Sequence, residues 1–336
     1  MGWGARLGSG GLACLWVTMT IAGCGPAAHG ARVVAGASAA RRSGTADVAY
    51  AGSLQLLMES KLGPNFSARS GYAYRGRGAG SFALAREIES GEIAPNVFAS
   101  VGPAPITQLE PKLTRWYVQI ASSPIVVVYN PQSRFAPVLS AVAHGQRPLA
   151  DLFSVLAQRG FMLGRTNPDT DPQGQAFYEM VELAQSSLQL PAGSVTRILG
   201  ALDNPAQVFE ETALEARLQA GQLDAASAYL SQAVQLHLPY IALPATLNFG
   251  NPAAAAAYAG ASLRLSNGTT VHGAPLVVDV TQLTGTDAAA AAAFVAYLLS
   301  PAARASFKAA GYQLLTPALF GDGARVPAEV RHEIPS

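Results

Sequence analysis

The chain has 336 residues, half of them hydrophobic and 13% charged, with 22 basic against 21 acidic side chains and two cysteines. This length and apolar content suit about two domains with substantial cores. The near-even charge excludes a polybasic nucleic-acid binder and any bulk electrostatic steering of a ligand.

Residues 1–23 carry one charge, Arg6, ahead of an apolar run from Leu12 to Ala22. The run is too short to span a bilayer and has the character of a signal-peptide core. It ends in Ile21-Ala22-Gly23-Cys24, which resembles the bacterial lipoprotein cleavage box. Cleavage there makes Cys24 the acylated first residue, a membrane anchor of more than one chain, the alternatives being an ordinary signal peptide or an uncleaved anchor. Cys14 leaves with the signal, so no thiol remains for a disulfide or a metal. Losing Arg6 and no acid leaves 21 basic and 21 acidic residues. Residues 24–45, rich in Ala, Gly, Ser and Arg without apolar period, form a flexible tether, with Arg41-Arg42 solvated.

The folded part is expected to begin with a strand at Asp47–Ala51. Gly52-Ser53 follows, with Ser53 a candidate N-cap for apolar residues at helical spacing. A second unit repeats the pattern: Tyr72–Arg75 as strand, Gly76–Gly80 as turn, then a helix opened by Ser81 and closed by Gly91. Asn96–Ser100 is a further strand. This alternation predicts a parallel sheet with helices on both faces. The glycines do not form G-x-G-x-x-G, and no Lys-Ser or Lys-Thr follows, so a nucleotide loop is a poor match. Gly-Ser at a strand-to-helix turn suits a smaller anion, because a hydroxyl sits beside exposed helix amides.

Ser123–Tyr129 is a continuous apolar strand, Leu149–Arg159 a helix and Phe161–Gly164 a buried strand. Next comes Asn167-Pro168-Asp169-Thr170-Asp171-Pro172-Gln173-Gly174, a turn before a helix over Gln175–Leu190. Its prolines hold Asp171 extended at the start of that helix. Asp169, Thr170 or Asp171 can each serve simply as a helix cap. Asn204–Ala220 is expected to be a polar helix containing Glu210 and Glu211. Ala225–Tyr229 and Tyr240–Leu243 read as short strands, Ala253–Ala259 as helix, Gly273–Val280 as strand and Asp287–Leu299 as a strong helix. Ser300-Pro301 opens another, to Ala310. The tail after Phe320 is polar and expected to be loosely attached.

In this order the motifs resemble the substrate-binding proteins of molybdate/tungstate ABC importers, especially the archaeal-type branch. The resemblance runs from about Asp47 to Phe320. It rests on Ala51-Gly52-Ser53-Leu54, Ala79-Gly80-Ser81, Trp116-Tyr117 before Ile125–Tyr129, and the Asn-Pro-x-x-Asp-Pro-x-Gly turn. It continues with Glu211-Thr212-x-Leu214, Gly221, Asp224 and Tyr229, then Asn267-Gly268-Thr269-Thr270-Val271-x-Gly273-x-Pro275. It implies an α/β, two-lobed periplasmic-binding-protein type II fold with a ligand cleft between the lobes. Residues 46–124 and 245–320 are then lobe 1, 125–244 lobe 2 and 321–336 a tail, with Ile125–Tyr129 and Tyr240–Leu243 as crossings.

The implied ligand contacts are Ser53 and Ser81 from one lobe and Asp171, Glu211 and Tyr229 from the other. Asp171 and Glu211 would bond the Mo or W of the bound oxyanion. The implied protein is a monomeric, non-enzymatic receptor outside the cytoplasm. It is anchored to the membrane through Cys24, needs no cofactor beyond its ligand, and serves an ABC permease and its ATPase. Three features depart from the pattern. Val101-Gly102-Pro103 stands where many relatives have an acid, Arg75 and Arg77 precede Ser81, and Glu210 beside Glu211 leaves the register open by one. Two other readings compete: the same scaffold binding sulfate, phosphate or a small organic anion, and an enzyme with Asp171 and Glu211 as acid and base. No aromatic sugar platform accompanies the second.

Overall fold

The computed structural model describes residues 41–335 together with Met1. The signal segment, Cys24 and most of the tether lie outside the described residues. At its described end the tether is held. Arg42 N–H donates to Gly71 O at 2.9 Å, and the Arg42 guanidinium lies 5.4 Å from the Tyr72 ring centroid, so Arg42 is not simply solvated.

Four strands, β1 (Thr45–Ala51), β2 (Ala73–Ala79), β3 (Val97–Val101) and β4 (Trp116–Ser122), begin the first sheet. The second sheet holds β5 (Ile125–Tyr129), β6 (Leu163–Gly164), β7 (Ala225–Tyr229) and β8 (Tyr240–Ile241). A hairpin of β9 (Ser262–Arg264) and β10 (Thr270–His272) follows, and β11 (Val277–Gln282) and β12 (Gln313–Gly321) return to the first sheet. The strand orders are β12-β4-β11-β3-β1-β2 and β6-β7-β5-β8. The helices that concern the site and its frame are α1 (Ser81–Ser90), α2 (Pro172–Ser187), α3 (Glu211–Gln219), α4 (Leu230–Gln235), α5 (Ala288–Leu299), α6 (Pro301–Ala309) and α7 (Ala328–His332).

The sheets are mixed rather than parallel. β1 runs parallel to β2 and β3, but β11 runs antiparallel to β3 and β4. The cause is the double excursion of the chain. β11 re-enters the first sheet from the second lobe, so it starts at the end where β1 and β3 finish. All five residues of β5 are buried, as a central strand covered on both faces requires.

Parallel pairing places Ala51 opposite Ala79. Gly52-Ser53 and Gly80-Ser81 therefore leave the sheet side by side. The expected turn at Gly76–Gly80 is instead strand through Ala79. A Cβ on Gly76 or Gly78 would lie 2.8 or 2.7 Å from the Tyr50 ring, so these glycines make room for an aromatic side chain on the neighbouring strand. Arg75 and Arg77 pair at the surface with Asp47 and Glu87, the latter at 2.7 Å. Exposed pairs of this kind contribute little to stability.

Ile125–Tyr129 and Tyr240–Ile241 are paired strands of the second sheet, not crossings. The chain crosses instead at Ser123-Pro124 and again on its return near Asn248–Gly250. Ile125 N–H donates to Asn248 O at 2.7 Å, and Ser122 Oγ to Gly250 O at 2.8 Å. A Cβ on Gly250 would meet Pro124 Cγ at 2.5 Å, so the two passages are in contact.

The β9–β10 hairpin falls inside the span 245–320 expected in lobe 1, yet it is tied to the other lobe. Ser262 N–H donates to Glu182 of α2 at 3.0 Å, and Ser266 Oγ donates to Asp169 at 2.6 Å. The tail is also packed. Val326, in the extended segment before α7, and Val330, within α7, are buried, and α7 lies against α5. The expected helix over Asn204–Ala220 starts only at Glu211, since Glu210 is extended at φ −65°, ψ 147°.

One buried acid lies apart from the cleft. Asp279 in β11 is fully buried, and burial pushes its carboxyl up to about 8, against the lowering hydrogen bond from Gln119. A raised carboxyl stabilises the fold while protonated, so this contribution is whole below the unfolded value and is lost as pH rises toward about 8. Asp279→Asn, which mimics the protonated acid, is expected to melt several degrees above the parent at pH 8.5 and about level with it at pH 4. Thermal melts of both proteins across that range check this; parallel curves would contradict it.

Candidate functional site

The site lies where the two lobes face each other. From the first lobe come the turns after β1 and β2. Ser53 sits within a 3-10 turn, Gly52–Leu54, and is not a side-chain cap. It is buried, and its carbonyl accepts a 2.8 Å hydrogen bond from the Tyr312 hydroxyl. Ser81 is the first residue of α1 and is also buried. Its Oγ accepts the Val101 N–H at 3.1 Å, which leaves its single O–H hydrogen uncommitted.

From the second lobe comes the proline turn. Asp171 is the N-cap of α2, extended at φ −139°, ψ 125°, and its Oδ1 accepts the Gln173 N–H at 2.8 Å. The capping role is therefore real. Thr170 just before it reaches across the cleft, its carbonyl accepting from Phe82 N–H at 3.2 Å and Ala83 N–H at 3.3 Å. The helix-start amides that suggested an anion site from sequence are thus in part already used, at α1 by Thr170 and at α2 by Asp171.

Glu210 and Glu211 separate cleanly. Glu210 is exposed and caps α3, accepting from Thr212 N–H at 3.0 Å and Ala213 N–H at 3.4 Å. Glu211 is buried and turned inward. Its Oε1 accepts from Gln232 Nε2 at 2.7 Å and Gln173 Nε2 at 3.3 Å. Its Oε2 lies where a Cβ on Gly52 would be, 2.1 Å from that point, so the carboxylate of one lobe abuts the backbone of the other. Tyr229, the last residue of β7, is buried, and its hydroxyl has no hydrogen-bond partner among the described residues.

The five residues expected from sequence thus converge, three directly and two through neighbours. Burial pushes the Asp171 carboxyl up to about 6, against the Gln173 amide that lowers it. Burial first, then the charge of Asp171, holds the Glu211 carboxyl well above the usual range. The Tyr229 hydroxyl is raised by burial and by both carboxylates. Two buried carboxyls and an orphaned hydroxyl are the groups that a bound ligand would satisfy. Beside the two carboxyls is a cavity of about 250 Å³ lined by Gly80, Thr170, Asp171, Glu210 and Glu211, with Ser53, Ser81 and Tyr229 outside its lining. A larger one of about 440 Å³, beside Lys112, Arg115 and Arg325, contains none of the converging residues.

Four further residues escaped the sequence reading. Gln173 and Gln232 hold Glu211, Ser227 Oγ donates to Gln173 Oε1 at 2.7 Å, and Tyr312 packs behind Ser53. Gln173 and Ser227 lay in segments already singled out, the proline turn and the strand ending at Tyr229. The others carry no local pattern, because neutral polar residues in strands and helices are usually at the surface.

A protein of Haloferax volcanii described as a candidate ABC transporter molybdenum-binding protein is 34% identical over 245 residues, 73% of this chain and 74% of its own length. The molybdate/tungstate-binding protein WtpA of Pyrococcus abyssi is 26% identical over 242 residues, 66% and 68% of the two chains. Among solved structures, the periplasmic molybdate-binding protein of Azotobacter vinelandii superposes with a TM-score of 0.52 at 18% identity, covering 81% of this chain and all of that one. The sulfate-binding protein SubI of Mycobacterium tuberculosis gives 0.50 at 15%, covering 87% and 91%. Both show the two-lobed periplasmic-binding fold, and their different ligands show that the fold leaves the ligand open. The family profile described as bacterial extracellular solute-binding protein matches residues 46–313. By that match, and by a cleft built to enclose a ligand, this chain belongs to the extracellular solute-binding proteins, the non-enzymatic receptors of ABC importers that work outside the cytoplasm.

Proposed function

We propose that the protein is a lipid-anchored receptor that takes molybdate or tungstate into the cleft and delivers it to an ABC permease. The observation that carries this reading is the burial of two carboxyls, Asp171 and Glu211, against one orphaned tyrosyl hydroxyl. An oxyanion held only by hydrogen bonds would be repelled by such a pair. A tetraoxoanion whose central metal accepts further hard oxygen ligands would be held by it. Sulfate and phosphate cannot expand in that way, so the carboxyls that bind one class reject the other. In this reading Asp171 and Glu211 bond the molybdenum or tungsten, and Ser53, Ser81 and Tyr229 donate to its oxygens. One lobe comprises 46–124 and the returning strands and helices, and the other takes in 125–244 with the β9–β10 hairpin. The receptor works as a monomer. The names of the Haloferax and Pyrococcus relatives support the choice of ligand.

Calorimetric titration of the purified mature protein with molybdate, tungstate, sulfate and phosphate tests the reading. The first two are expected to bind at least about a hundredfold more tightly than the others, roughly 2.7 kcal/mol. Sulfate or phosphate binding as tightly as molybdate would hand the protein to the simple-oxyanion reading.

In this reading Cys24 carries the attachment. Among the described residues no single helix is long and apolar enough to cross a membrane. The native protein is expected in the membrane fraction, and Cys24→Ala is expected to leave it unprocessed or released. Normal processing and undiminished membrane binding of Cys24→Ala would remove the anchor.

A further inference from the structure

We infer that Gln173 and Gln232 are positioning residues that hold the Glu211 carboxylate so that only Oε2 faces the ligand. The inference rests on the receptor reading above and adds to it the groups that set the geometry of one bond. Both amide nitrogens donate to the same atom, Oε1, at 3.3 and 2.7 Å. Among the described residues Oε2 accepts no hydrogen bond, and it is the oxygen that projects to the lobe opposite, against Gly52 and next to Ser53.

The donors are themselves fixed, which is what makes them more than incidental neighbours. The Gln173 carbonyl oxygen accepts from Ser227 Oγ at 2.7 Å. The Gln232 carbonyl oxygen accepts from Tyr229 N–H at 2.8 Å and from Gln173 Nε2 at 3.1 Å. Each amide is oriented by what its oxygen accepts, so its NH₂ end must point at Glu211. Gln173, Gln232, Ser227 and Glu211 are all buried, and water does not compete for these bonds. A carboxylate with one oxygen saturated by two donors offers a single oxygen as a ligand. It binds through one atom and not as a chelate. Groups that orient a ligating side chain in this way typically change affinity ten- to a hundredfold when removed.

The arrangement also ties α2, α3, β7 and α4 into one rigid block behind Glu211. Gln173 is the second residue of the helix that Asp171 caps. The two carboxyls that meet the metal centre are therefore held by one framework. Their separation is set by the second lobe alone, before closure brings in the serines.

The test uses the purified mature protein and molybdate, with calorimetry for affinity and X-ray absorption at the molybdenum edge for coordination. Native protein is expected to show oxygens at longer distance, from carboxylates, beyond the oxo groups of the anion. Gln232→Met and Gln173→Met remove the donors with little change in shape. Each, in protein that still folds, is expected to weaken molybdate binding about tenfold and to diminish the longer oxygen shell. A merely structural role would not move that shell. Gln232 also accepts the N–H that starts α4, so if Gln232→Met fails to fold, Gln173→Met, which takes no part in that cap, carries the test. Full affinity and an intact longer shell in a folded variant overturn the inference while the receptor reading stands. Native protein that fails to bind molybdate, or a Glu211→Gln variant with native affinity, removes the receptor reading first and this inference with it.

Discussion

Asp171→Asn and Glu211→Gln are each expected to weaken molybdate and tungstate binding by at least ~1.4 kcal/mol, about tenfold. The direction is the informative part. In a cleft that holds its anion by hydrogen bonds alone, removing a buried negative charge and adding an amide donor should help binding. Here both acids are buried, and Glu211 already has one oxygen saturated, so its remaining oxygen is available to a metal centre. An amide oxygen is a poorer hard ligand than a carboxylate and brings no charge to the metal. The same substitutions should leave sulfate binding poor or improve it, because the rejecting charge is gone. Glu210→Gln should do little, since Glu210 is exposed and spent on capping α3. Calorimetry on each folded variant decides the matter. Native tungstate affinity in both Asp171→Asn and Glu211→Gln would end the coordination mechanism.

The second large effect is expected from a single methyl group. Gly80 has φ −58° and ψ 134°, a backbone open to any residue, so Gly80→Ala introduces no backbone strain. Its Cβ would nevertheless lie 2.6 Å from the Thr170 carbonyl oxygen and 3.4 Å from Asp171 Cβ, both on the opposite lobe. The clash exists only when the lobes are together, and it is against backbone that cannot rotate away. Overpacking of this size costs about 1–3 kcal/mol, and here that cost falls on the closed state alone. Gly80→Ala should therefore lose roughly five- to a hundredfold in oxyanion affinity while the empty protein melts at its native temperature. Gly52→Ala should lose less, because its Cβ would meet the Glu211 side chain, Oε2 at 2.1 Å, which can shift where backbone cannot. Small-angle scattering should show the ligand-saturated Gly80→Ala protein more open than its parent. Native affinity and a native scattering profile would mean that the cleft does not close on this contact.

Much of the site could be read along the chain because its residues sit at breaks in regular structure. Ser53 and Ser81 follow Gly at the ends of parallel strands, and Asp171 is pinned between prolines. Such positions are set by local backbone chemistry, which a sequence displays. The strands at Ala225–Tyr229 and Ile125–Tyr129 were equally plain from their unbroken apolar and small residues. The same local logic misplaced Gly76 and Gly78. Glycine in a strand and glycine in a turn look alike until the Tyr50 ring they accommodate is known. It also misjudged the tail, where α7, with the buried Val330, packs against α5, an element far upstream in the chain.

The sequence by itself determined the α/β, two-lobed fold, and through the resemblance of its motifs it singled out Ser53, Ser81, Asp171, Tyr229 and the Glu210–Glu211 pair as candidates. Only the tertiary structure decided which of Glu210 and Glu211 turns inward, because the choice depends on where the extended residue before α3 places its side chain. It alone showed that Thr170 takes the first amides of α1, a contact between residues about ninety positions apart. It alone assembled Gln173, Gln232 and Ser227 around Glu211, since each is an ordinary polar residue until three separate elements bury it against the same carboxylate. Local backbone preference is written in neighbouring residues, whereas the partner of a buried polar group is set by packing between elements that are distant in the chain.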